Sequence, residues 1–85
     1  MRIIFTKNAW KDYLSWQSEN KKMLIKINEL IREIHRTPYK GKGKPEPLKH
    51  ELTGLWSRRI DKEHRLIYQI VHEDILIYSC RYHYD

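Results

Sequence analysis

The period of the apolar positions changes along the chain, and each change marks an element. Residues Arg2–Thr6, RIIFT, are β-branched and aromatic and predict a short strand. Thr6 is then placed to cap a helix from about Lys7 to Glu19, in which Trp10, Tyr13, Leu14 and Gln17 recur at helical spacing. A second helix is expected from about Asn20 to Arg36. Leu24, Ile27, Leu30, Ile31 and Ile34 form one apolar stripe along it, with Lys22, Lys26, Glu29 and Arg32 mostly off the stripe. Pro38 disfavours helical backbone at Thr37 and ends this helix. Periodicity is then lost from Lys40 to Gly54, where Gly41, Gly43, Pro45 and Pro47 mark an ordered, non-repetitive loop. Beyond it, LWSRRI, HRLIYQIV and ILIYSCRYHY read as three successive strands. Their separators, DKE and HED, are short enough for hairpins but lack a strong turn signature.

The order β-α-α-β-β-β predicts an α+β fold, a twisted, mostly antiparallel sheet with both helices packed on one face. The other face is left for a ligand. With 85 residues and no linker or repeat, residues 1–85 read as one domain. The lone Cys80 excludes an intrachain disulfide and favours a reducing compartment. The N-terminal MRIIFTKNAW lacks the apolar run of a signal peptide, and no segment approaches a membrane span, so a cytoplasmic protein is expected.

Charge adds the first functional hint. Seventeen Lys and Arg against eleven Asp and Glu leave a net charge of +6, which suits an anionic partner such as nucleic acid or an acidic protein. The stretch GKGKPEPLKH, Gly41–His50, concentrates that charge yet holds one carboxylate, Glu46, between two prolines. Each proline fixes its own φ and restricts its predecessor, which a positioned general base requires and a decorative acid does not. Among the strands, Arg65 is flanked by apolar residues and needs an anionic partner, which a phosphate would supply. A two-residue turn at Lys62-Glu63 would put Arg59 and Arg65 on opposite faces, and Arg65 ranks above Arg59. The terminal CRYHYD adds His83, a proton donor near neutral pH, and Tyr84, able to stack on a base. The five histidines and Cys80 lack metal-ligand spacing, and no phosphate-binding glycine loop appears, so no cofactor or metal is expected.

WKDYLSWQ, KINELI, RTPYKGKGKPEPLKHELTGLWSRRI, EHRLIY and CRYHY together resemble the YoeB toxins of the RelE/ParE superfamily, over essentially the whole chain. The resemblance implies a RelE-like fold and a metal-independent messenger RNA endonuclease acting in the ribosomal A site. It implies Glu46 as general base, Arg65 as stabiliser of phosphate charge, His83 as general acid and Tyr84 as a base-positioning group. Lys44, Lys49, His50 and Arg59 would hold the phosphate and the RNA. The implied partners are a YefM-like antitoxin, the ribosome with its message, and operator DNA bound only by the toxin–antitoxin complex. A second copy of the chain is a further candidate partner. Asp85 departs from the usual terminal tyrosine and places a carboxylate near His83 in sequence.

Two other readings fit part of the pattern. A non-catalytic nucleic-acid module explains the charge but not the constrained Glu46. A gyrase-poisoning toxin of the ParE branch would share the fold, but the RYHY tail and the Glu46 loop argue against it.

Overall fold

The computed structural model describes residues 1–82, so the expectations for His83, Tyr84 and Asp85 lie outside the described residues. Strand β1, Ile3–Phe5, leads directly into helix α1, Lys7–Glu19. Thr6 caps that helix as expected, its hydroxyl accepting the Ala9 N–H at 3.0 Å. The face that α1 buries is not the one centred on Trp10, Leu14 and Gln17. Ala9 and Trp16 are buried and Tyr13 packs against the core, whereas Trp10 and Leu14 are exposed. Ala9, Tyr13 and Trp16 lie at helical spacing, and the small Ala9 lets the helix approach the sheet closely. Trp10 instead stacks on Tyr13 at the surface, with ring centroids 5.7 Å apart.

Asn20 alone joins the helices. Its N–H bonds to the Trp16 carbonyl at 2.9 Å, closing α1, and its side chain accepts the Lys22 N–H at 3.1 Å, opening helix α2, Lys21–Arg36. Four of the five expected stripe residues, Ile27, Leu30, Ile31 and Ile34, are buried, Leu24 is half-buried against the same core, and Met23, not expected, is buried with them.

The loop after α2 contains a two-residue strand, β2, Glu46–Pro47. Three longer strands follow: β3, Trp56–Arg59; β4, Arg65–Val71; and β5, Asp74–Ser79. The sheet order is β1-β5-β4-β3-β2, antiparallel except where β1 pairs with β5. Both helices share one core cluster with Leu66 and Tyr68 of β4 and Ile75 and Ile77 of β5, so they cover a single face.

The structure corrects two expectations about the strands. β5 ends at Ser79 rather than continuing to Tyr84. Helix α1 takes over the hydrogen bonds there, since the Cys80 N–H donates to Asp12 Oδ2 at 3.0 Å and its carbonyl accepts from Trp16 Nε1 at 2.8 Å. The β3–β4 connection is also longer than a two-residue turn. Asp61 Oδ1 accepts the N–H groups of Glu63 and His64 at 2.9 and 2.7 Å, folding residues 60–64 into a loop. Arg59 is therefore directly opposite Arg65, on the same face of the sheet.

One charged side chain lies within the apolar layer. Arg58 is fully buried, and its guanidinium donates to the carbonyls of Thr37, Lys40 and Lys42 at 2.6, 3.0 and 3.0 Å and to the Tyr68 hydroxyl at 3.1 Å. The Tyr68 hydroxyl in turn donates to the Pro38 carbonyl at 2.6 Å, and burial raises its pKa. Replacing Tyr68 with Phe leaves Arg58 Nε and the Pro38 carbonyl without this partner inside the protein. We expect a loss of about 1–3 kcal/mol, read as a lower urea midpoint at unchanged slope.

Glu33 ties the same loop to α2, accepting the Lys42 N–H at 3.1 Å and the Arg36 guanidinium at 3.0 Å. The Lys42 N–H, then Arg36, hold its carboxyl below the usual carboxylate value. A depressed folded-state value adds stability above the unfolded value, and that stability disappears as pH falls through the folded one. Glu33→Gln should therefore be less stable than the parent at pH 7. The gap in urea midpoint should close as both are titrated to strongly acid pH.

Candidate functional site

The basic loop is shaped from its carbonyl side. Arg58 gathers three carbonyls between Thr37 and Lys42, and the Arg59 N–H bonds to the Gly43 carbonyl at 2.6 Å. Gly43 has φ +86, and a Cβ there would lie 3.0 Å from Leu30 Cδ2 and 3.1 Å from Arg58 Cβ, so glycine is required by both conformation and space. Lys44 follows at φ 49 and His50 at φ 60, both left-handed, a conformation that costs non-glycine residues energy and persists only when the surroundings impose it. Between them Glu46 pairs with Ser57 and Pro47 with Trp56. Pro47 is tolerated because β2 is an edge strand. The Leu48 N–H then bonds to the Leu55 carbonyl at 2.8 Å, closing a loop that contains a 3₁₀ turn, His50–Leu52. Glu46 is thus fixed by a ladder to β3 as well as by its prolines.

Register places the side chains. Glu46, Ser57, Ile67 and Ser79 are aligned across four strands, and Arg59 and Arg65 form the neighbouring pair two residues further along β3 and β4. All six occupy the face opposite the helices. Glu46 and Arg59 are exposed, Arg65 is half-buried, and Ser57, Ile67 and Ser79 form a buried floor. Adjacent strands are about 5 Å apart and residues rise about 3.4 Å along a strand, so Glu46 and Arg65, two strands and two residues apart, are separated by roughly 12 Å at backbone level, within span of two long side chains and a phosphodiester. Lys44, Lys49 and His50 are exposed beside Glu46 in sequence.

Arg65 Nη1 donates to the carbonyls of Asp61 and His64 at 2.9 and 3.1 Å, which anchors the guanidinium at the β3–β4 loop. Among the described residues neither Arg59 nor Arg65 has a carboxylate in salt-bridge contact. The structure therefore brings Glu46, Arg59 and Arg65 to one face, with Lys44, Lys49 and His50 exposed on the loop that carries Glu46.

Sequence reasoning missed Arg58 and the anchorage of the C-terminal segment. Arg58, rather than Arg65, is the charge enclosed by apolar neighbours, and its alternation with Arg59 along the strand is the signal that points to it. At the C-terminal segment, Arg81 binds Glu19 at 2.9 and 3.0 Å and Ser15 at 2.7 Å and lies 4.3 Å from the centre of the Trp16 ring. Cys80 is buried, and burial pushes its thiol up to about 12, so it is inert at neutral pH. Among the described residues no three His, Cys, Asp or Glu side chains group closely enough to hold a metal ion.

The profile of the family described as YoeB-like toxin of bacterial type II toxin-antitoxin system matches residues 5–84. Toxin YoeB of Escherichia coli strain K12 is 56% identical over 84 residues, 99% of this chain and all of that protein. The YoeB/ParE toxin from Agrobacterium tumefaciens superposes with a TM-score of 0.97 at 45% identity, over 99% of this chain and 100% of that one. YoeB of Staphylococcus aureus, solved as a dimer and as a heterotetrameric YoeB-YefM complex, superposes with TM-scores of 0.93 and 0.92. Both are 49% identical and cover 99% of this chain and 98% of that one. With profile, full-length identity and fold in agreement, the chain belongs to the family of YoeB-like toxins of bacterial type II toxin-antitoxin systems.

Proposed function

We propose that this toxin is a metal-independent endoribonuclease that cuts messenger RNA in the ribosomal A site and so stops translation. The observation that carries the reading is the register of β2, β3 and β4, which gathers a carboxylate and two guanidinium groups on the face free of helices. Arg59 and Arg65 are directly opposite one another, and like charges in that position repel. An anion between them relieves the repulsion, and a phosphodiester fits the fork geometry of arginine.

In this reading Glu46 takes the proton from a ribose 2′-hydroxyl, whose oxygen attacks the adjacent phosphorus. The phosphorus–5′-oxygen bond breaks as His83 donates a proton to the leaving oxygen. Arg65 stabilises the charge that builds on the phosphate, Tyr84 positions a base, and Lys44, Lys49, His50 and Arg59 hold the backbone. The products are a 2′,3′-cyclic phosphate upstream and a free 5′-hydroxyl downstream. A carboxylate among cations is a weak base, so positioning, by the toxin and by the ribosome around the message, supplies much of the acceleration.

The partners follow the same chemistry. An acidic, YefM-like antitoxin segment would cover the basic face, the complex would bind operator DNA, and two toxin chains could pair, as YoeB of Staphylococcus aureus does in its dimer and its complex with YefM. No helix among the described residues is long and apolar enough to cross a membrane, and the ribosomal substrate places the toxin in the cytoplasm.

Two measurements test this. Glu46→Ala and His83→Gln should each lower cleavage of a ribosome-bound message by about 10²–10⁴-fold while keeping fold and ribosome binding. Full cleavage by Glu46→Ala would remove the general-base assignment. The second measurement uses a message carrying one 2′-deoxy nucleotide just upstream of the cut. It should bind almost normally and resist cleavage at that bond, since only RNA supplies the 2′-hydroxyl. Normal cutting of that substrate would make water the nucleophile.

A further inference from the structure

The last described residue, Tyr82, is held at both ends of its backbone by two consecutive residues, His64 at the end of the β3–β4 loop and Arg65 at the start of β4. Its N–H donates to His64 Nδ1 at 2.7 Å, and its carbonyl accepts the Arg65 N–H at 2.8 Å. Tyr82 has φ 62, a left-handed conformation that a tyrosine adopts only when its surroundings impose it. The two hydrogen bonds supply that imposition. His64 is itself fixed. It is buried, it meets the Trp16 ring edge-on at 4.8 Å, and its Nε2 is 3.7 Å from Glu63 Oε1. Because Nδ1 accepts from an amide, the ring proton is on Nε2, toward the Glu63 carboxylate.

We propose that His64 is a positioning residue. Its Nδ1, acting with the Arg65 N–H, clips Tyr82 to the start of β4 and so fixes, relative to Arg65, the point from which the chain continues to His83. The proposal rests on the endonuclease reading for its catalytic consequence, but the clip itself is a property of the fold. A histidine packed on tryptophan is ordinary core. What sets this one apart is that, among the described residues, the one long-range hydrogen bond of its side chain goes to the residue preceding the proposed general acid. The same dipeptide also supplies the arginine proposed to bind the phosphate. Acid and phosphate-binding group would then be registered through one backbone unit. A displacement of about 1 Å in such a group costs on the order of 10²-fold in rate.

The test uses two substitutions in the full-length toxin. His64→Asn keeps an acceptor near the place of Nδ1, whereas His64→Leu keeps apolar bulk and removes the acceptor. In hydrogen exchange followed by NMR, the Tyr82 amide should be protected in the parent and in His64→Asn, and at least about tenfold less protected in His64→Leu. On ribosome-bound message, His64→Leu should keep KM and lose about 10–100-fold in kcat, and His64→Asn should recover most of the loss. An unprotected Tyr82 amide in the parent overturns the clip. A folded His64→Leu with parental kcat, or equal losses in both variants, overturns the positioning role. If the parent toxin cuts no message at all, the endonuclease reading fails, and the exchange data still decide whether His64 holds the tail.

Discussion

The candidate site depends on one buried guanidinium. Arg58 is in the apolar layer between sheet and helices and is satisfied by three carbonyls and one hydroxyl, all neutral acceptors. Burying an arginine is costly unless its donors are used, and four separate bonds use them. Those bonds give residues 37–42 a fixed path, and that path delivers Gly43 to the Arg59 amide and Glu46 to its place beside Ser57. Since no carboxylate neutralises Arg58 among the described residues, its charge also adds to the positive potential of the face opposite.

Local patterns were legible in the sequence, and contacts made at a distance were not. The α2 stripe and the Thr6 cap depend on residues within a few positions of each other, and both were found. The face of α1 was misjudged because Trp10 and Leu14 are as apolar as Trp16, and only packing against the sheet decides which side is covered. The two-residue strand at Glu46–Pro47 carries no strand pattern, since prolines flank the acid and only the partner β3 defines it. The Arg59–Arg65 register depends on Asp61 folding the intervening loop through its side chain, a choice invisible to strand alternation.

The site is assembled from two separately anchored parts. The loop bearing Glu46 is pinned to α2 and β3 through Glu33 and Arg58. The segment leading to His83 is pinned to α1 and β4 through Asp12, Trp16, Glu19, His64 and Arg65. Arg65 belongs to the central strand between them, and its side chain is restrained by carbonyls of its own loop. Glu46 and Arg65 therefore reach the same face by independent routes, and the segment that ends at Tyr82 is anchored by a third.

The parallel pairing of β1 with β5 has a consequence for how the toxin is born. Ile3 pairs with Ile75, and Arg2 grips Asp74 at 2.7 Å across 72 residues of chain. During synthesis β1 leaves the ribosome early and has no strand to join until β5 follows, while α1 and α2 form from local contacts in the meantime. The sheet is therefore completed by one of its last strands to be made, and the face carrying Glu46 and the arginines cannot be closed behind by a finished core before then. The toxin's fold is therefore committed only when nearly the whole of its chain has been made.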